Sequence, residues 1–577
     1  MTAADTRPDR SAAAPAAPAD RRLPDGFRVR LDRRARPIDG GAALLGGAPP
    51  RLVHLSARAR ELLPPPGGTL VVEGPTHRAL ARTLLDAGLA HPVPRTVPHA
   101  GATGPNAGET RLHAGATGPN AGETGPHAGP AGSNAGATGP HTGATGPNAG
   151  ETGPHAGPAG PNAGAAGPHA GPGAGPHAGP HGPAEVTVVV PVRDRPLDAL
   201  LAALPIGELG GLIVVDDGST EPEPLRRSVE AAGGRVLRHA ASRGPAAARN
   251  AGLGAARTPF VVFLDSDVVP EPGWLEPLLA HLADPAVGLV APRIVALDPA
   301  AGTGLRGLVG RYEAVRSSLD LGPDPALIVP RSRVAYVPSA AMLVRVAAVG
   351  AAAFDPAMHV AEDVDLVLRL HAAGWAMRFE PAARVAHDHR TDPAEWLRRK
   401  AFYGTGAAPL ALRHPGAVPP MVLSGWTAAV CLLLLARRRG ATAVAAVVTA
   451  VATDRLSRKL TRLERPRRSA ARLTALGLSG ALWQCASGLT RHFWPVAALA
   501  LPFSARARTT VLAAALAEGL ADWWLHRDRD PRVRISPVGH LVAHRLDDLA
   551  YGAGLWWGAW RHRTTAPLRP TGPGPRR

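Results

Sequence analysis

The chain of 577 residues is long enough for more than one domain, and its 45% hydrophobic content supports a sizeable core. The net charge of +18 suits an anionic surface, but aromatic residues make up only 4%, too few to interleave with the basic side chains as base-stacking platforms, which sets a nucleic-acid partner aside. The two cysteines, Cys431 and Cys485, both sit in apolar stretches, which excludes a disulfide framework or a cysteine zinc site and fits a reducing compartment.

Residues 1–22 carry arginines and acids without an apolar stretch, so they read as a disordered leader and not as a cleavable signal peptide. From Leu23 the pattern changes. Phe27-Arg28-Val29-Arg30-Leu31 alternates like a half-buried strand, Asp39-Gly40-Gly41 marks a turn, Ala42 to Leu45 suggests a second strand and Leu52 to Leu63 a helix. Thr69 to Val72, Thr76 to Ala87 and His91-Pro92-Val93 continue as strand, helix and strand. This succession over 23–96 fits either a small winged-helix-like module, sized to recognise a peptide, or an extension packed on the main domain.

Residues 97–184 are low in complexity. His99 to Thr110 recurs letter for letter as His113 to Thr124, and histidines return at 127, 141, 155 and 169. With almost no apolar side chains the segment cannot offset the entropy of ordering, and it reads as a disordered linker whose histidines come from repeat expansion.

Residues 185–416 alternate strand and helix. Val186 to Val190 forms a buried strand ended by Pro191, and Leu212 to Val215 a second that ends in Asp216-Asp217-Gly218-Ser219. Arg226 to Ala232, Arg235 to Arg238 and Pro245 to Ala256 follow as helix, strand and helix, and Phe260 to Leu264 is a strand that ends at Asp265. The alternation predicts an α/β fold with a parallel, doubly wound sheet, whose ligand site lies at the carboxyl edge. Neighbouring side chains of a strand point to opposite faces, so Asp265 and Asp267 offer two hard oxygens to one volume. That pair suits Mg2+ or Mn2+ with a nucleotide diphosphate, or else a turn that caps a helix beginning near Pro270. Asp217 is placed to accept from a base or ribose, and Arg249 and Asn250, on a helix beside the edge, to hold a phosphate or base. Each of these also reads as a turn or cap.

Together Val188-Val189-Val190-Pro191, Val215-Asp216-Asp217-Gly218-Ser219, Ala248-Arg249-Asn250-Ala251-Gly252 and Leu264-Asp265-Ser266-Asp267 resemble the family 2 glycosyltransferases, nucleotide-sugar enzymes with a Rossmann-like fold of the GT-A type. Downstream, Pro338-Ser339-Ala340-Ala341-Met342-Leu343-Val344 resembles the strand under the acceptor site, and Phe354-Asp355 with Glu362-Asp363-Val364-Asp365-Leu366 resembles the motif of the catalytic base. More narrowly, Gly46-Gly47-Ala48-Pro49-Pro50-Arg51-Leu52, Leu84-Leu85-Asp86-Ala87-Gly88-Leu89-Ala90-His91-Pro92 and Tyr403-Gly404-Thr405-Gly406-Ala407-Ala408-Pro409-Leu410 are similar to the glycosyltransferases of the mycofactocin system. That family decorates the peptide-derived redox cofactor precursor premycofactocin with β-1,4-linked glucose.

The resemblance implies inverting transfer from UDP-glucose, with Asp363 as base and Glu362 positioning the acceptor. It implies donor contacts from Pro191, Asp217, Arg249, Asn250 and Asp265. Asp265 and Asp267 would hold Mg2+ or Mn2+ with His387 as third ligand, His389 being the alternative two residues on. A helix start at Asp363 is expected to favour its carboxylate form, although Glu362, Asp363 and Asp365 also read as a helix-start acidic cluster. Arg390, Arg399 and Tyr403 fall on the acceptor or diphosphate side.

Residues 417–560 form an apolar helical region, and 561–577 a disordered tail. Ala417 to Ala436 is an uncharged run long enough to span a bilayer, but Arg437-Arg438-Arg439 after it opposes the positive-inside tendency. A hairpin lying partly in the membrane or a helical cap are the alternatives. The expectation is a protein at the cell membrane with its catalytic domain on the cytoplasmic face. A related transferase acting on a cell-envelope polysaccharide or lipid, and a non-catalytic scaffold recruiting a peptide, are the competing readings. The intact Asp265, Asp267 and Asp363 argue against the scaffold.

Overall fold

The computed structural model describes residues 13–93 and 181–573, apart from short breaks at 39, 48–50, 66–67, 299–301, 351–352, 462, 464 and 529. The linker expected over 97–184 lies outside the described residues as far as 180, as do the first twelve residues of the leader and the end of the tail.

The described part of the leader, 13–22, lies along the catalytic domain, contrary to the disorder expected of it. The Ala17 N–H donates to the Ala373 carbonyl at 3.0 Å, and the indole N–H of Trp375 donates to the Pro15 carbonyl at 2.7 Å. A largely buried indole needs an acceptor, and the leader supplies it.

Beyond it, Arg28–Leu31 is the middle strand of an antiparallel sheet with Thr69–Val71 and Ala90–Pro92. Arg36–Ile38, Ala43–Gly46 and Arg51–His54 make a second, separate antiparallel sheet. The helix expected from Leu52 starts later, at Ala57, because the Ser56 hydroxyl caps it by accepting from the Ala59 N–H at 3.1 Å, while Leu52 and Val53 pair as strand. Helix Pro75–Asp86 buries Leu80, Ala81, Leu84 and Leu85 against the first sheet. The module is docked on the catalytic domain: Arg82 grips the buried Asp284 with both terminal nitrogens, at 3.0 and 2.5 Å, and Arg378 donates to the Leu85 carbonyl at 3.2 Å.

The large sheet runs Val268–Pro270, Ala376–His387, Val287–Ala296, Ala341–Arg345, Phe260–Leu264, Val186–Val192, Gly211–Asp216, Arg235–Arg238, with Ala326–Leu327 paired to Ala376–His387 off that path. Only the last four strands of the order form the continuous parallel block predicted. Ala341–Arg345 is antiparallel to both its neighbours, so the sheet is mixed. An antiparallel partner needs no crossover helix, and the strand-helix alternation does break off after Phe260–Leu264. Helix Pro245–Ala255 sits tightly on the parallel block, where a Cβ at Gly252 would lie 2.3 Å from Val189.

The C-terminal region is helical throughout most of its length: Gly425–Leu435, Arg439–Ser457, Pro466–Ser487, Trp494–Ala500, Ala505–His526 and Pro537–Arg561. The run expected to span from Ala417 is helical for only 11 residues. At 1.5 Å per residue that reaches about 16 Å, against ~30 Å of bilayer core. Among the described residues no helix is long and apolar enough to cross a membrane.

Helix Pro537–Arg561 lies backbone to backbone against helix Pro393–Thr405 of the catalytic domain. A Cβ at Gly554 would stand 1.7 Å from the Ala401 carbonyl oxygen, and one at Gly404 2.1 Å from that of Tyr551. A buried polar seam runs beside the contact. Lys400 bridges Glu313 at 2.9 Å and Asp547 at 3.3 Å, Arg316 pairs with Asp522 at 3.1 Å, Arg491 with Asp548 at 3.0 Å, and His544 stands between Tyr312 at 3.0 Å and Glu518 at 3.2 Å. Glu518, His544 and Asp548 are set closely enough to hold a cation, but Arg491 and Arg545 already take their carboxylates.

Because the two helices meet through their backbones, Gly554→Val should destabilise the fold by at least the ~1–3 kcal/mol that overpacking costs and so lower the thermal midpoint sharply. Gly254→Ala, on helix Pro245–Ala255 with nothing within 4 Å of its Cβ, should raise it slightly. Thermal unfolding of both variants checks the contrast; equal midpoints would refute the tight contact.

Candidate active site

A cavity of about 310 Å3 opens at the carboxyl ends of the parallel strands, where the loops diverge. Pro191 and Val192 line it from the end of Val186–Val192, Asp217 from just past Gly211–Asp216, and Asp265, Ser266 and Asp267 from just past Phe260–Leu264. Ser242 to Ala246 form another wall, Pro356, Met358 and His359 come from the loop before helix Glu362–Ala372, and Arg390 and Phe402 also line it.

Asp217 stands at the rim but is occupied. It accepts from His239 Nδ1 and Ser242 Oγ, both at 2.7 Å, and from the N–H groups of Arg243 at 2.9 Å and Gly244 at 2.8 Å. Burial alone would raise its pKa; these bonds, led by the Arg243 N–H, bring it below the ordinary value. The same bonds shape the 239–244 loop, and Asp217 remains on the cavity lining, where the contact to a base or ribose was expected of it. That loop closes down only because residue 218 is glycine at φ 81, where a Cβ would lie 2.8 Å from Ser242 N.

Arg249 and Asn250, expected as donor contacts, are not among the residues that line the cavity, and both are engaged within the fold. Arg249 is completely buried: Nη1 donates to Glu362 Oε1 at 3.1 Å, Nη2 donates to Asp265 Oδ1, and the guanidinium lies over Phe354 at 5.3 Å. Burial works against its charge, but Asp265 and Glu362 outweigh it and raise its pKa. Asn250 clamps the backbone of Phe354, donating to its carbonyl at 2.6 Å and accepting its N–H at 3.0 Å. The helix presents this face to the sheet, and a guanidinium can stay there only between carboxylates.

The aspartate pair is therefore divided. Asp265 lines the cavity but is turned toward Arg249, and burial holds its pKa above the ordinary range despite that partner. Asp267 Oδ1 is buried without a hydrogen-bond partner, and His387 Nε2 lies 3.6 Å from it. The pairing of Val268–Pro270 with Ala376–His387 sets Val268 opposite His387, which brings the two side chains together. An orphaned carboxylate oxygen beside an imidazole nitrogen fits a hard divalent cation that keeps other positions for water and phosphate. His389 lies behind His387, Nδ1 to Nδ1 at 3.2 Å.

Glu362 and Asp363 open helix Glu362–Ala372 behind the cavity wall. Ala361, just before them, is left-handed at φ 64, a conformation that costs a residue with a Cβ about 1–2 kcal/mol. Asp363 is completely buried; Oδ2 accepts the Ser339 N–H at 3.1 Å and Oδ1 the Val364 N–H at 2.8 Å. Burial, with Glu362 beside it, pushes its pKa well above the ordinary value, and the backbone N–H groups only partly offset this. The expectation that the helix start favours its carboxylate is thus reversed: desolvation wins. Asp365 belongs to a different unit, since it pairs with Arg369 and His414, both at 2.8 Å, and Arg413 at 3.4 Å. Burial would raise its pKa, but His414 and the arginines lower it.

Sequence reasoning missed Arg193, Ser242, Arg243, Met358, His359 and Phe402 as wall residues. The spacing between Phe354-Asp355 and Glu362-Asp363 was the available signal for Met358 and His359. Arg390 does reach the cavity, whereas Arg399 and Tyr403 line a smaller one of about 40 Å3 behind His387 and His389.

Residues 197–315 match the model of Glycosyl transferase family 2, and 260–508 that of Glycosyl transferase family group 2. The pre-mycofactocin glycosyltransferases of two Mycobacterium tuberculosis strains, CDC 1551 / Oshkosh and ATCC 25618 / H37Rv, are 41% identical to this chain over 556 residues, covering 95% of it and 98% of their own length. Succinoglycan biosynthesis protein ExoU of Rhizobium meliloti (strain 1021) is 30% identical over 145 residues, 24% of this chain and 42% of its own. Among solved structures, the mannosyltransferase PcManGT from Pyrobaculum calidifontis, in complex with GDP-Man and Mn2+, is 20% identical and covers 52% of this chain and 87% of that one, with a TM-score of 0.30, too distant for its ligands to bear on this site.

Arg249→Met would leave Asp265 and Glu362 as buried carboxylates without a counter-charge. Urea unfolding should show a loss of about 3–5 kcal/mol, the cost of breaking a buried pair from one side. A donor-contact role for Arg249 would instead show weakened nucleotide binding at unchanged stability.

Proposed function

The chain belongs to glycosyl transferase family 2 and, within it, to the pre-mycofactocin glycosyltransferases, and from that premise we propose that it transfers glucose from UDP-glucose to premycofactocin, extending a β-1,4-linked oligoglucoside. It is a glycosyltransferase with the Rossmann-like, mixed-sheet GT-A architecture. The observation that carries the mechanistic reading is the orphaned Asp267 Oδ1 next to His387 at the wall of a nucleotide-sized cavity.

In this reading Asp363 takes the proton of the acceptor hydroxyl as its oxygen attacks the anomeric carbon, and the bond to the UDP oxygen breaks with its electron pair leaving on UDP. Attack from the face opposite UDP inverts the centre. Glu362 helps seat the acceptor. Asp267 and His387 would hold Mg2+ or Mn2+, which when bound neutralises the departing diphosphate. Asp265 lines the cavity and is tied by Arg249 to Glu362, so donor side and base belong to one unit. The N-terminal module, read as winged-helix-like, is the part suited to the peptide-derived portion of the acceptor.

For localisation we favour a membrane surface with the catalytic domain on the cytoplasmic face. Leu512, Leu516, Leu520 and Trp524 form an exposed apolar stripe at one-turn spacing on helix Ala505–His526, with Arg506 and Arg508 at its start and Arg527 stacked on Trp524 at its end. Such a face lies in the plane of an anionic bilayer instead of crossing it.

Incubation with a panel of nucleotide sugars and with premycofactocin or envelope acceptors, read by mass spectrometry, tests donor and acceptor; product from an envelope acceptor alone would replace this reading. Asp267→Ala should remove metal-dependent UDP binding and transfer, and undiminished turnover in excess chelator would sink the metal role. Asp363→Asn should cut turnover by roughly 10²–10⁴-fold with UDP binding kept. A base with a raised pKa is lost as pH falls through that value, so the acid limb of kcat/KM should lie above the usual carboxylate range near ~4. The same raised pKa means that ionised Asp363 weighs on the fold as pH rises through it, so Asp363→Asn should melt no lower than wild type at pH 8. Asp365→Asn, which breaks ion pairs, should melt lower. Leu516→Asp with Trp524→Asp should reduce co-sedimentation with phosphatidylglycerol vesicles; unchanged sedimentation would exclude that face.

A further inference from the structure

His387 and His389 touch at Nδ1 to Nδ1, 3.2 Å apart, with their rings 4.8 Å apart and tilted by 46°. We propose that His389 is a positioning residue: it accepts a hydrogen bond from Nδ1 of His387 and so fixes the tautomer in which His387 Nε2 presents its lone pair toward Asp267 and a divalent cation. The inference rests on the metal-dependent reading above.

The argument is one of hydrogen counting. A ring that gives its Nε2 lone pair to a cation keeps its one hydrogen on Nδ1, and two Nδ1 atoms 3.2 Å apart have room for one hydrogen between them, so the facing nitrogen of His389 must be the acceptor. Two neutral imidazoles can share that contact in two ways only, one nitrogen carrying the hydrogen and the other the lone pair. If His389 donated, the hydrogen of His387 would sit on Nε2 and point at the cation position beside Asp267. If His387 donates, its Nε2 is free to bind, and the hydrogen of His389 moves to its own Nε2.

The surroundings of His389 are built for the second arrangement. Its Nε2 is buried without a protein partner, and both histidines line the cavity of about 40 Å3. That space has room for a water able to take the hydrogen. Glu313 lines the same cavity, its carboxylate fixed by the Trp396 indole N–H at 2.8 Å and Lys400 at 2.9 Å, and offers such a water an acceptor. Metal-bound histidines usually hand their second N–H to a carboxylate or carbonyl. Here the receiver is a neutral ring, which orients His387 without setting another negative charge beside a leaving diphosphate.

The test uses the full-length protein with UDP and reads Mn2+ binding by electron paramagnetic resonance. His389→Phe should weaken Mn2+ by roughly 10–100-fold, the usual effect of losing a ligand's supporting partner. His389→Asn, whose side-chain oxygen can stand where Nδ1 stood, should restore most of it. With Mg2+ and UDP bound, ¹⁵N spectra of histidine-labelled protein should show the His387 hydrogen on Nδ1. Folded His389→Phe with wild-type Mn2+ affinity, or a His387 hydrogen on Nε2 in the loaded protein, would overturn the proposal alone. A wild-type protein that binds Mn2+ no better than Asp267→Ala would instead overturn the metal-dependent reading on which it rests.

Discussion

A buried cation cannot be left alone, and the site is built on that constraint. Arg249 has no solvent exposure, so the carboxylates of Asp265 and Glu362 must come to it. One belongs to the loop after the central strand and the other to the first turn of helix Glu362–Ala372. Meeting at one guanidinium, they fix the distance between the donor-side loop and the base. Asn250, the next residue, fastens Phe354 from the same helix, so a single turn of Pro245–Ala255 sets both ends of the segment that carries Met358 and His359 to the cavity.

The catalytic domain does not end where its family motifs end. The helix that carries Lys400 and Tyr403 to the rear cavity is pressed against Pro537–Arg561 through Gly404 and Gly554, and Lys400 is held from both sides by Glu313 and Asp547. The C-terminal helices thus brace from behind the helix that lines the rear cavity, as well as offering a surface outward. On the far side, the leader and the Arg82–Asp284 pair hold the N-terminal module against the sheet.

Much of this was legible in the residues. Runs such as Val186 to Val190 and Phe260 to Leu264 announce buried strands because nothing else keeps so many β-branched and aromatic side chains together, and acids at their ends mark the sheet edge. The choice of partner was not legible. Arg249 and Asn250 read as ligands to an anion, while their ties to Asp265, Glu362 and Phe354 depend on the helix face they occupy, and periodicity alone does not say which face meets the sheet. The reversal of Ala341–Arg345 was equally hidden, since a strand's own sequence is nearly indifferent to the direction of its neighbour. The nearness of Asp267 and His387 depends on the register of two strands far apart in sequence, which no local pattern encodes. For Asp363 the sign of the electrostatics was misread because the helix start is visible in sequence and the depth of burial is not.

The polar seam between the catalytic domain and the C-terminal helices has an arithmetic of its own. Glu313, Glu518, Asp522, Asp547 and Asp548 face Arg316, Lys400, Arg491 and Arg545, one carboxylate more than there are permanent cations. His544 supplies the difference: burial opposes its charge, but Asp522, Asp548 and Glu518 push its pKa up to about 9. A histidine raised in this way lends the folded state stability that is complete below its unfolded value near ~6.5 and drains away as pH climbs through 9. The joint behind the active site is therefore a proton-held one, and alkali would loosen it from the rear.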